Sequence, residues 1–196
     1  MAETAPLRLG LLVSGRGSNM AAIMDAIAAG TLNADIQLVL SDQPQAPALK
    51  IAAERGIDAR ALPRKGFSDQ TAFEFALVEV LQAARVELVV LAGFMRLLGP
   101  TFLAGFPDRV INIHPALLPS FPGLEAQQQA LDYGVKISGC TVHYVNEIMD
   151  GGRIIAQAAV PVYDDDDAEA LSRRILKEEH RLLPEAIGLI AQNRNL

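Results

Sequence analysis

The chain has 196 residues, of which 51% are hydrophobic and 20% charged, a composition typical of a globular protein with a substantial core. The net charge is −6 and no basic cluster occurs, so we expect neither nucleic acid nor a membrane as a partner. The single cysteine, Cys140, excludes an internal disulfide and lies among apolar residues that predict a buried thiol. No signal-peptide pattern or membrane-length apolar run is present, so we expect a soluble, cytoplasmic protein forming a single domain, residues 1–196.

The first half of the chain alternates predicted strands and helices. Apolar runs predict strands at residues 7–13, 36–40, 58–62 and 87–92. Apolar periodicity and stop signals predict helices at residues 20–29, 46–55 and 68–84. Residues 87–92 are apolar throughout, as expected for a parallel strand covered on both faces. This alternation predicts an α/β fold, a Rossmann-like, doubly wound and mostly parallel sheet.

The segment SGRGSN joins the first strand to the first helix. Backbone N–H groups at such a helix start favour an anion. The dinucleotide fingerprint requires a glycine where this chain has Met20, and the Walker A lysine is absent. Two interpretations remain open: a site for a small phosphate, with Ser18 and Asn19 as extra donors, or a tight turn in which Asn19 caps the helix.

The second half changes character. Short helices are predicted at residues 100–103 and 124–133, and a long one at residues 168–192. Strands are predicted at residues 109–113, 138–146 and 154–162, the last two as an antiparallel extension of the sheet. Asp166 and Glu169 have capping-box spacing at the start of the last helix. A metal site formed by the four aspartates of residues 164–167 is the alternative.

Asn112, His114 and Asp150 are the candidate catalytic residues. Asn112 and His114 are two apart on a strand, so both side chains point to the same face. Pro115 ends this strand, and Asp150 precedes two glycines that allow a sharp turn. An amide donor, an imidazole and a carboxylate form a possible acid–base set. A capped strand end with a hydrogen-bonded histidine is the equally weighted alternative.

Two further histidines and one loop have less specific patterns. His143, in the middle of a strand, is interpreted as a core histidine or one that supports a neighbouring site. His180 lies in the last helix, where a solvated side chain is the default interpretation and a helix face that contacts a ligand is the alternative. The spacing of the histidines predicts no metal site. Residues 93–98 follow the central strand, so they either line a pocket or pack in the ordinary way.

Four segments occur in order along the chain: LVSGRGSN, LAGFMRLL, NIHPALLPSFPG and VHYVNEIMDGG. With them the whole chain resembles the phosphoribosylglycinamide formyltransferases (glycinamide ribonucleotide transformylases) of purine synthesis, within the folate-dependent formyltransferases. NIHPALLP and DGG are shared across that superfamily, and GRGSN points to the glycinamide ribonucleotide enzymes. The length agrees, since we expect no room for the additional domain of methionyl-tRNA formyltransferases or formyltetrahydrofolate deformylases.

The resemblance implies a formyltransferase fold and formyl transfer from 10-formyltetrahydrofolate, a co-substrate, to the amine of glycinamide ribonucleotide, without a metal. Residues 1–100 would form the nucleotide-binding half and residues 101–196 the catalytic and folate-binding half. Asn112 would polarise the formyl oxygen, and His114 would act as the acid–base group. Asp150 would pair with His114 and favour its imidazolium form. The small-molecule substrates would be its partners, and the protein would be a monomer or a homodimer.

The resemblance also implies two sets of binding residues. The nucleotide would be held by Gly17, Ser18 and Asn19 and, in the last helix, by Leu176, Lys177, Glu178 and Glu179. The folate would be held by Gln70, Met95, Arg96, Leu97 and Leu98, and by Asn112, Asn146, Glu147, Ile148, Met149 and Asp150. Gln70 replaces an arginine that contacts folate in some relatives, and Glu125 replaces a histidine of others. A formyltetrahydrofolate deformylase and a non-catalytic nucleotide-binding domain are the alternative functions.

Overall fold

Seven strands and six α-helices follow one another in the computed structural model, which describes residues 5–193. The strands are β1 (Leu7–Val13), β2 (Ala34–Ser41), β3 (Ala59–Ala61), β4 (Leu88–Leu91), β5 (Val110–His114), β6 (Ile137–Tyr144) and β7 (Ile154–Pro161). The helices are α1 (Ser18–Ala28), α2 (Pro47–Glu54), α3 (Gln70–Ala83), α4 (Pro100–Gly105), α5 (Ala126–Tyr133) and α6 (Ala168–Asn193).

All seven strands form one sheet in the order β3-β2-β1-β4-β5-β6-β7. The pairs from β3 to β5 are parallel, whereas β6 runs antiparallel to both β5 and β7. The predicted fold is therefore confirmed, including its antiparallel extension. The strand order reverses between β1 and β4, and in such sheets ligands bind at the carboxyl ends of the strands beside that point.

Helices cover both faces of the sheet, and each face has its own hydrophobic core. On one face, buried side chains of α1 and α6, such as Ile23 and Leu183, pack against the strands. On the other face, Phe73 of α3 and Phe102 of α4 are fully buried. All four residues of β4 are buried, as its uninterrupted apolar sequence predicts. In the described part of the chain, no helix is both long and apolar enough to cross a membrane.

Four helices begin one or two residues from the predicted start, and in two of them, α1 and α5, a left-handed residue sets the start. Helix α1 begins at Ser18, after Gly17 with φ of +77°. Asn19 therefore lies inside the first turn, and the interpretation of Asn19 as a cap is wrong. Helix α5 begins at Ala126 rather than at residue 124, because Glu125 has φ of +56°.

The predicted capping box of α6 is also wrong. The N-cap is Asp167, whose Oδ1 accepts the Ala170 N–H at 2.7 Å. Asp166 instead receives two hydrogen bonds from the Arg174 guanidinium, which lower the pKa of Asp166 to about 2. Asp164 pairs with Lys136. Three of the four aspartates therefore cap the helix or pair with basic side chains. Among residues 5–193, no cluster of His, Cys, Asp and Glu is arranged to hold a metal.

Candidate active site

The carboxyl end of β5 places Asn112 and His114 on one side of the sheet. β6 lies antiparallel beside it, and its register puts His143 directly opposite Asn112. His114 is 4% exposed, so its ring lies in a largely enclosed environment. The strand end therefore presents an amide and an imidazole on one face, as the two-residue spacing predicts, and the imidazole is largely shielded from water.

Both ring nitrogens of His114 face acceptors. Nε2 lies 2.8 Å from the carbonyl oxygen of Phe121, and because a carbonyl can only accept, Nε2 carries a proton. Nδ1 lies 3.5 Å from Oδ2 of Asp150, which is close enough for electrostatic attraction but long for a hydrogen bond. The predicted pairing of His114 with Asp150 is thus present as a loose contact.

The carboxylate of Asp150 is positioned by the backbone around it. Its Oδ2 accepts the N–H of Gly123 at 2.8 Å, and Asp150 itself has φ of +51°. Gly152 closes the same turn, where a Cβ atom would lie 1.7 Å from the carbonyl oxygen of Tyr144. Only glycine fits at that position. The pair of glycines after Asp150 therefore determines the path of the loop that carries the carboxylate.

His143 supports this cluster from the neighbouring strand. Its Nδ1 lies 2.9 Å from the carbonyl oxygen of Tyr144, so Nδ1 carries the ring proton. Burial lowers the pKa of His143, which favours the neutral ring. Nε2 is then an acceptor, and it lies 3.3 Å from Nδ2 of Asn112. The contact orients the Asn112 amide and leaves its second N–H for a ligand.

The start of α1 forms the second part of the site. Gly17 packs so closely that a Cβ there would lie 2.6 Å from the Ala48 Cβ. The first intrahelical bond runs from the Ala21 N–H to the Gly17 carbonyl at 2.9 Å. The N–H groups of Ser18, Asn19 and Met20 precede it and point out of the helix start, the geometry that binds anions in proteins.

The side chain of Asn19 turns away from this helix start towards α6. Its Nδ2 donates to Oε2 of Glu179 at 2.9 Å, and both side chains are buried. Burial raises the pKa of Glu179. The structure thus joins two of the predicted substrate-binding residues. Of their neighbours in α6, Glu178 pairs with Arg181, Lys177 is exposed and Leu176 is half-buried.

A groove of about 450 Å³ lies beside the loop that follows β4. It brings together the predicted folate-binding residues of the first half with two neighbours: Gln70, Glu74, Met95, Arg96, Leu97, Leu98 and Gly99. Met95 and Leu97 are largely exposed, whereas Leu98 is buried. Of the two interpretations of this loop, the one in which it lines a pocket therefore agrees with the structure.

The groove is braced by a buried carboxylate. Asp42 follows β2 and pairs with Nε of Arg96 at 2.7 Å. The Ser14 hydroxyl donates to Asp42 at 2.6 Å and accepts the Met95 N–H at 2.9 Å. Nε2 of Gln43 adds a third bond to Asp42 at 2.9 Å. These contacts tie the loops after β1, β2 and β4 together.

The loop of residues 146–150 lies between β6 and β7. Oδ1 of Asn146 accepts the Ile148 N–H at 3.0 Å, and Glu147 is exposed beside it. Ile148 and Met149 are both more than half exposed. These apolar side chains flank Asp150 and are available for contact with an apolar ligand.

Three contributors to the site were not predicted: Asp42, Phe121 and Gly123. The supporting position of His143 was one of the two interpretations of that residue, but its contact with Asn112 was not specified. Phe121 and Gly123 act through backbone atoms, which no residue-type pattern identifies. The segment SFPG does signal a turn, and Phe121 has φ of +55° there. The role of His143 depends on strand register, which the sequence leaves open. Cys140 is buried, as predicted, and burial raises its pKa to about 12.

Known proteins resemble this chain over most of its length. The formyl transferase family matches residues 7–187. The phosphoribosylglycinamide formyltransferase of Bacillus subtilis is 42% identical over 180 residues, 92% of each chain. The trifunctional purine biosynthetic protein adenosine-3 of Drosophila melanogaster is 45% identical over 93% of this chain, which spans only 14% of that protein's length.

The solved structures agree with these relatives. The crystal structure of glycinamide ribonucleotide transformylase 1 from Symbiobacterium toebii has a TM-score of 0.96 and 50% identity, covering 98% of this chain and 91% of that one. Phosphoribosylglycinamide formyltransferase from Bacillus halodurans has a TM-score of 0.92 and 40% identity, covering 95% and 96%. With its family match, sheet order and the cluster at the end of β5, this chain belongs to the formyl transferase family.

Proposed function

We propose that the protein transfers a formyl group from 10-formyltetrahydrofolate to the primary amine of glycinamide ribonucleotide, the step after which its relatives are named. The observation that carries the proposal is the convergence of Asn112, His114 and Asp150 at the end of β5. An anion-binding helix start and a partly apolar groove lie at the carboxyl edge of the same sheet. The two substrates match these two features: glycinamide ribonucleotide carries a phosphate, and the folate carries a flat ring system.

The residues present fit both substrates. The backbone N–H groups of Ser18 and Asn19 would hold the phosphate, with Gly17 allowing close approach. The folate ring would lie against Met95 and Leu97, whose apolar side chains are largely exposed. Ile148 and Met149 would cover it from the opposite loop. Burial of these side chains by a ligand would be favourable by about 25 cal/mol per Å² of apolar area.

The proposed chemistry requires no protein nucleophile. The amine attacks the formyl carbon, a carbon–nitrogen bond forms, and the formyl oxygen becomes negative. The free N–H of Asn112 would stabilise that oxygen. A ring N–H of His114 would join it when the substrate displaces the ring's contact with the Phe121 carbonyl. Removal of one such donor typically costs about 100- to 1,000-fold in rate. A proton then moves from the attacking nitrogen to the departing folate nitrogen, which leaves as the second carbon–nitrogen bond breaks. His114, held beside Asp150, would relay it.

The experiment is to mix the purified protein with 10-formyltetrahydrofolate and glycinamide ribonucleotide and to follow the absorbance of the folate product. A parallel reaction omits the amine. Product that depends on the amine supports the transferase. Equal product without the amine would indicate a deformylase. No product from folded protein would support the remaining alternative, a non-catalytic nucleotide-binding domain.

Two variants connect the activity to the proposed residues. Asp150→Asn keeps the shape of the side chain, and we expect a loss of turnover with nucleotide binding retained, because the change leaves the helix start untouched. Asp132→Asn is the matched control, since Asp132 is exposed in α5 and bonded only to Gln128 among the described contacts. Wild-type turnover in Asp150→Asn or in His114→Ala would contradict the assigned roles.

A further inference from the structure

A row of polar side chains crosses the last three strands of the sheet. Thr141 of β6 lies directly opposite His114 of β5, and Gln157 of β7 lies directly opposite Thr141. Residues that face each other on paired strands project to the same side of a sheet, so the three side chains share the side that carries the candidate catalytic residues. The row therefore runs from the proposed catalytic histidine to the outer strand, where Gln157 has no part in the mechanism described above.

Thr141 binds the loop that follows β5, which we call the site loop (residues 115–125). Thr141 is fully buried, and its hydroxyl accepts the Leu118 N–H at 3.0 Å and donates to the Ala116 carbonyl at 2.7 Å. A hydroxyl has one hydrogen to donate and two positions at which it can accept. The second accepting position is taken by Nε2 of Gln157 at 3.0 Å. The hydrogen-bonding capacity of the Thr141 hydroxyl is therefore fully used, and each bond restricts the direction of the other two.

Gln157 also contacts the site loop directly. Its Nε2 donates to the Leu118 carbonyl at 2.9 Å as well as to the Thr141 hydroxyl. A carbonyl oxygen only accepts, so the atom of the Gln157 amide that faces it is the nitrogen, and both N–H groups of that amide are used. Gln157 is an exposed residue, and holding an exposed side chain in one rotamer costs conformational entropy. The two bonds offset that cost, so Gln157 constrains the site loop at Leu118.

The site loop supplies two backbone groups to the candidate active site. The Phe121 carbonyl contacts Nε2 of His114 at 2.8 Å, and the Gly123 N–H donates to Asp150 at 2.8 Å. Both groups follow Leu118 within the same loop. A shift of the loop at Leu118 would therefore move the acceptor that keeps a proton on Nε2 of His114. It would also move the donor that orients the Asp150 carboxylate.

We propose that Gln157 is a positioning residue, which acts through Thr141 and the site loop. The site loop in turn keeps His114 and Asp150 in the arrangement that the proposed formyl transfer requires. Gln157 does not touch the reacting atoms. The inference rests on the function proposed above, and it adds to the site a residue of the outer strand that neither the sequence pattern nor the family resemblance placed there.

The first test measures steady-state kinetics of Gln157→Met, which keeps the length of the side chain and removes both N–H donors. We expect kcat to fall about 5-fold, the rate equivalent of losing one net hydrogen bond. KM for each substrate should change less than about 2-fold, because Gln157 belongs to neither proposed binding surface. Thr141→Ser keeps the hydroxyl and should therefore retain kcat within about 2-fold of wild type.

Gln82→Met is the matched control. Gln82 is also exposed, and its Nε2 also donates to a backbone carbonyl, that of Gly105 at 3.2 Å. This bond joins the ends of α3 and α4 at the amino edge of the sheet, opposite the edge that carries the site. Gln82→Met therefore removes the same kind of bond, and we expect it to leave kcat unchanged.

A measurement without substrate separates a positioning role from a general loss of stability. The chain has three histidines, so few ring nitrogen signals have to be distinguished by NMR. In Gln157→Met we expect the Nε2 signal of His114 to move, because its contact with the Phe121 carbonyl depends on the site loop. The ring signals of His180, in α6, should stay in place, and Gln82→Met should leave all the histidine signals unchanged.

Several outcomes would overturn the inference. The first is a kcat for Gln157→Met within about 2-fold of wild type, with or without a change in KM. The second is an unchanged Nε2 signal of His114 in that variant, and the third is an equal loss of kcat in Gln82→Met. A failure of the proposed function would appear differently, as an inactive wild-type protein. The ring signals of His114 would then still test its connection to Gln157, because they are recorded without substrate.

Discussion

Two buried or nearly buried aspartates at the carboxyl edge of the sheet have opposite surroundings. Asp42 receives side-chain bonds from Ser14, Gln43 and Arg96 at 2.6 to 2.9 Å. Asp150 has one comparable bond, from a backbone N–H, and lies 3.5 and 3.6 Å from two histidine rings. A carboxylate with short bonds on every side has no capacity left for a ligand. The loose contacts of Asp150 are typical of catalytic groups that tighten only when substrate binds.

We expect the largest effect at the proposed catalytic cluster of Asn112, His114 and Asp150. Asn112→Ala should lower kcat about 100- to 1,000-fold at saturating substrates, because it removes the donor that we propose for the developing oxyanion. Thermal unfolding should show a folded protein. A kcat within 10-fold of wild type would mean that Asn112 only supports the strand end.

Asp42 should behave in the opposite way. Asp42→Ala should reduce the free energy of unfolding by about 2 kcal/mol, since three short bonds are lost while Arg96, more than a third exposed, recovers part of its solvation. Urea unfolding measures the change. Asp132→Ala, at an exposed carboxylate, should cost less than about 0.5 kcal/mol. Equal losses for the two variants would remove the distinction between structural and surface aspartates.

Glu179 is a third carboxylate. It is buried, and the hydrogen bond described for it comes from Nδ2 of Asn19. Because burial raises its pKa, the ionised form at neutral pH is less stable in the folded protein than in the unfolded chain. The contribution of the Glu179 carboxyl to the free energy of unfolding is fully present below about pH 4.5, its pKa in the unfolded chain. This contribution is lost as the pH rises through the higher pKa of the folded protein. We therefore expect Glu179→Gln, which removes the buried charge, to stabilise the protein at pH 7 by about 1 kcal/mol.

The gain should disappear below pH 4.5, where the wild-type side chain is protonated as well. Urea unfolding at both pH values measures it. A stabilisation of the same size at both would show that burial of the charge is not its cause.

The smallest effect concerns the pH dependence of stability near His143. Its pKa is lowered by burial, so its contribution is present above about pH 6.5 and is lost as the pH falls through the folded pKa. His143→Gln should therefore lose less stability than wild type between pH 7 and pH 5.5. The difference is limited to roughly 1.4 kcal/mol per pH unit for one proton.

His180→Gln provides a comparison, because burial lowers the pKa of His180 as well but its ring is less enclosed. We expect His180→Gln to reduce the pH dependence of the free energy of unfolding less than His143→Gln does. Parallel curves for wild type and His143→Gln would mean that the pKa of His143 is the same in the folded and the unfolded protein.

The amino-acid sequence by itself determined the order and type of the elements. The apolar runs of β1 and β4, the periodicity of the helices and the spacing of Asn112 and His114 depend on neighbouring residues, so local rules suffice. The boundaries were less accurate where a backbone angle decided them, at Gly17 and Glu125, because a left-handed residue is specified by packing as much as by residue type.

Only the tertiary structure decided which side chains meet. Asn19 and Glu179 are 160 positions apart in the chain, and their contact depends on how α1 and α6 pack. The pairing of His143 with Asn112 depends on strand register, and the bonds to Phe121 and Gly123 use backbone atoms common to every residue. Local sequence carries no information on such contacts, since a hydrogen bond between distant groups is selected by the free energy of the whole fold.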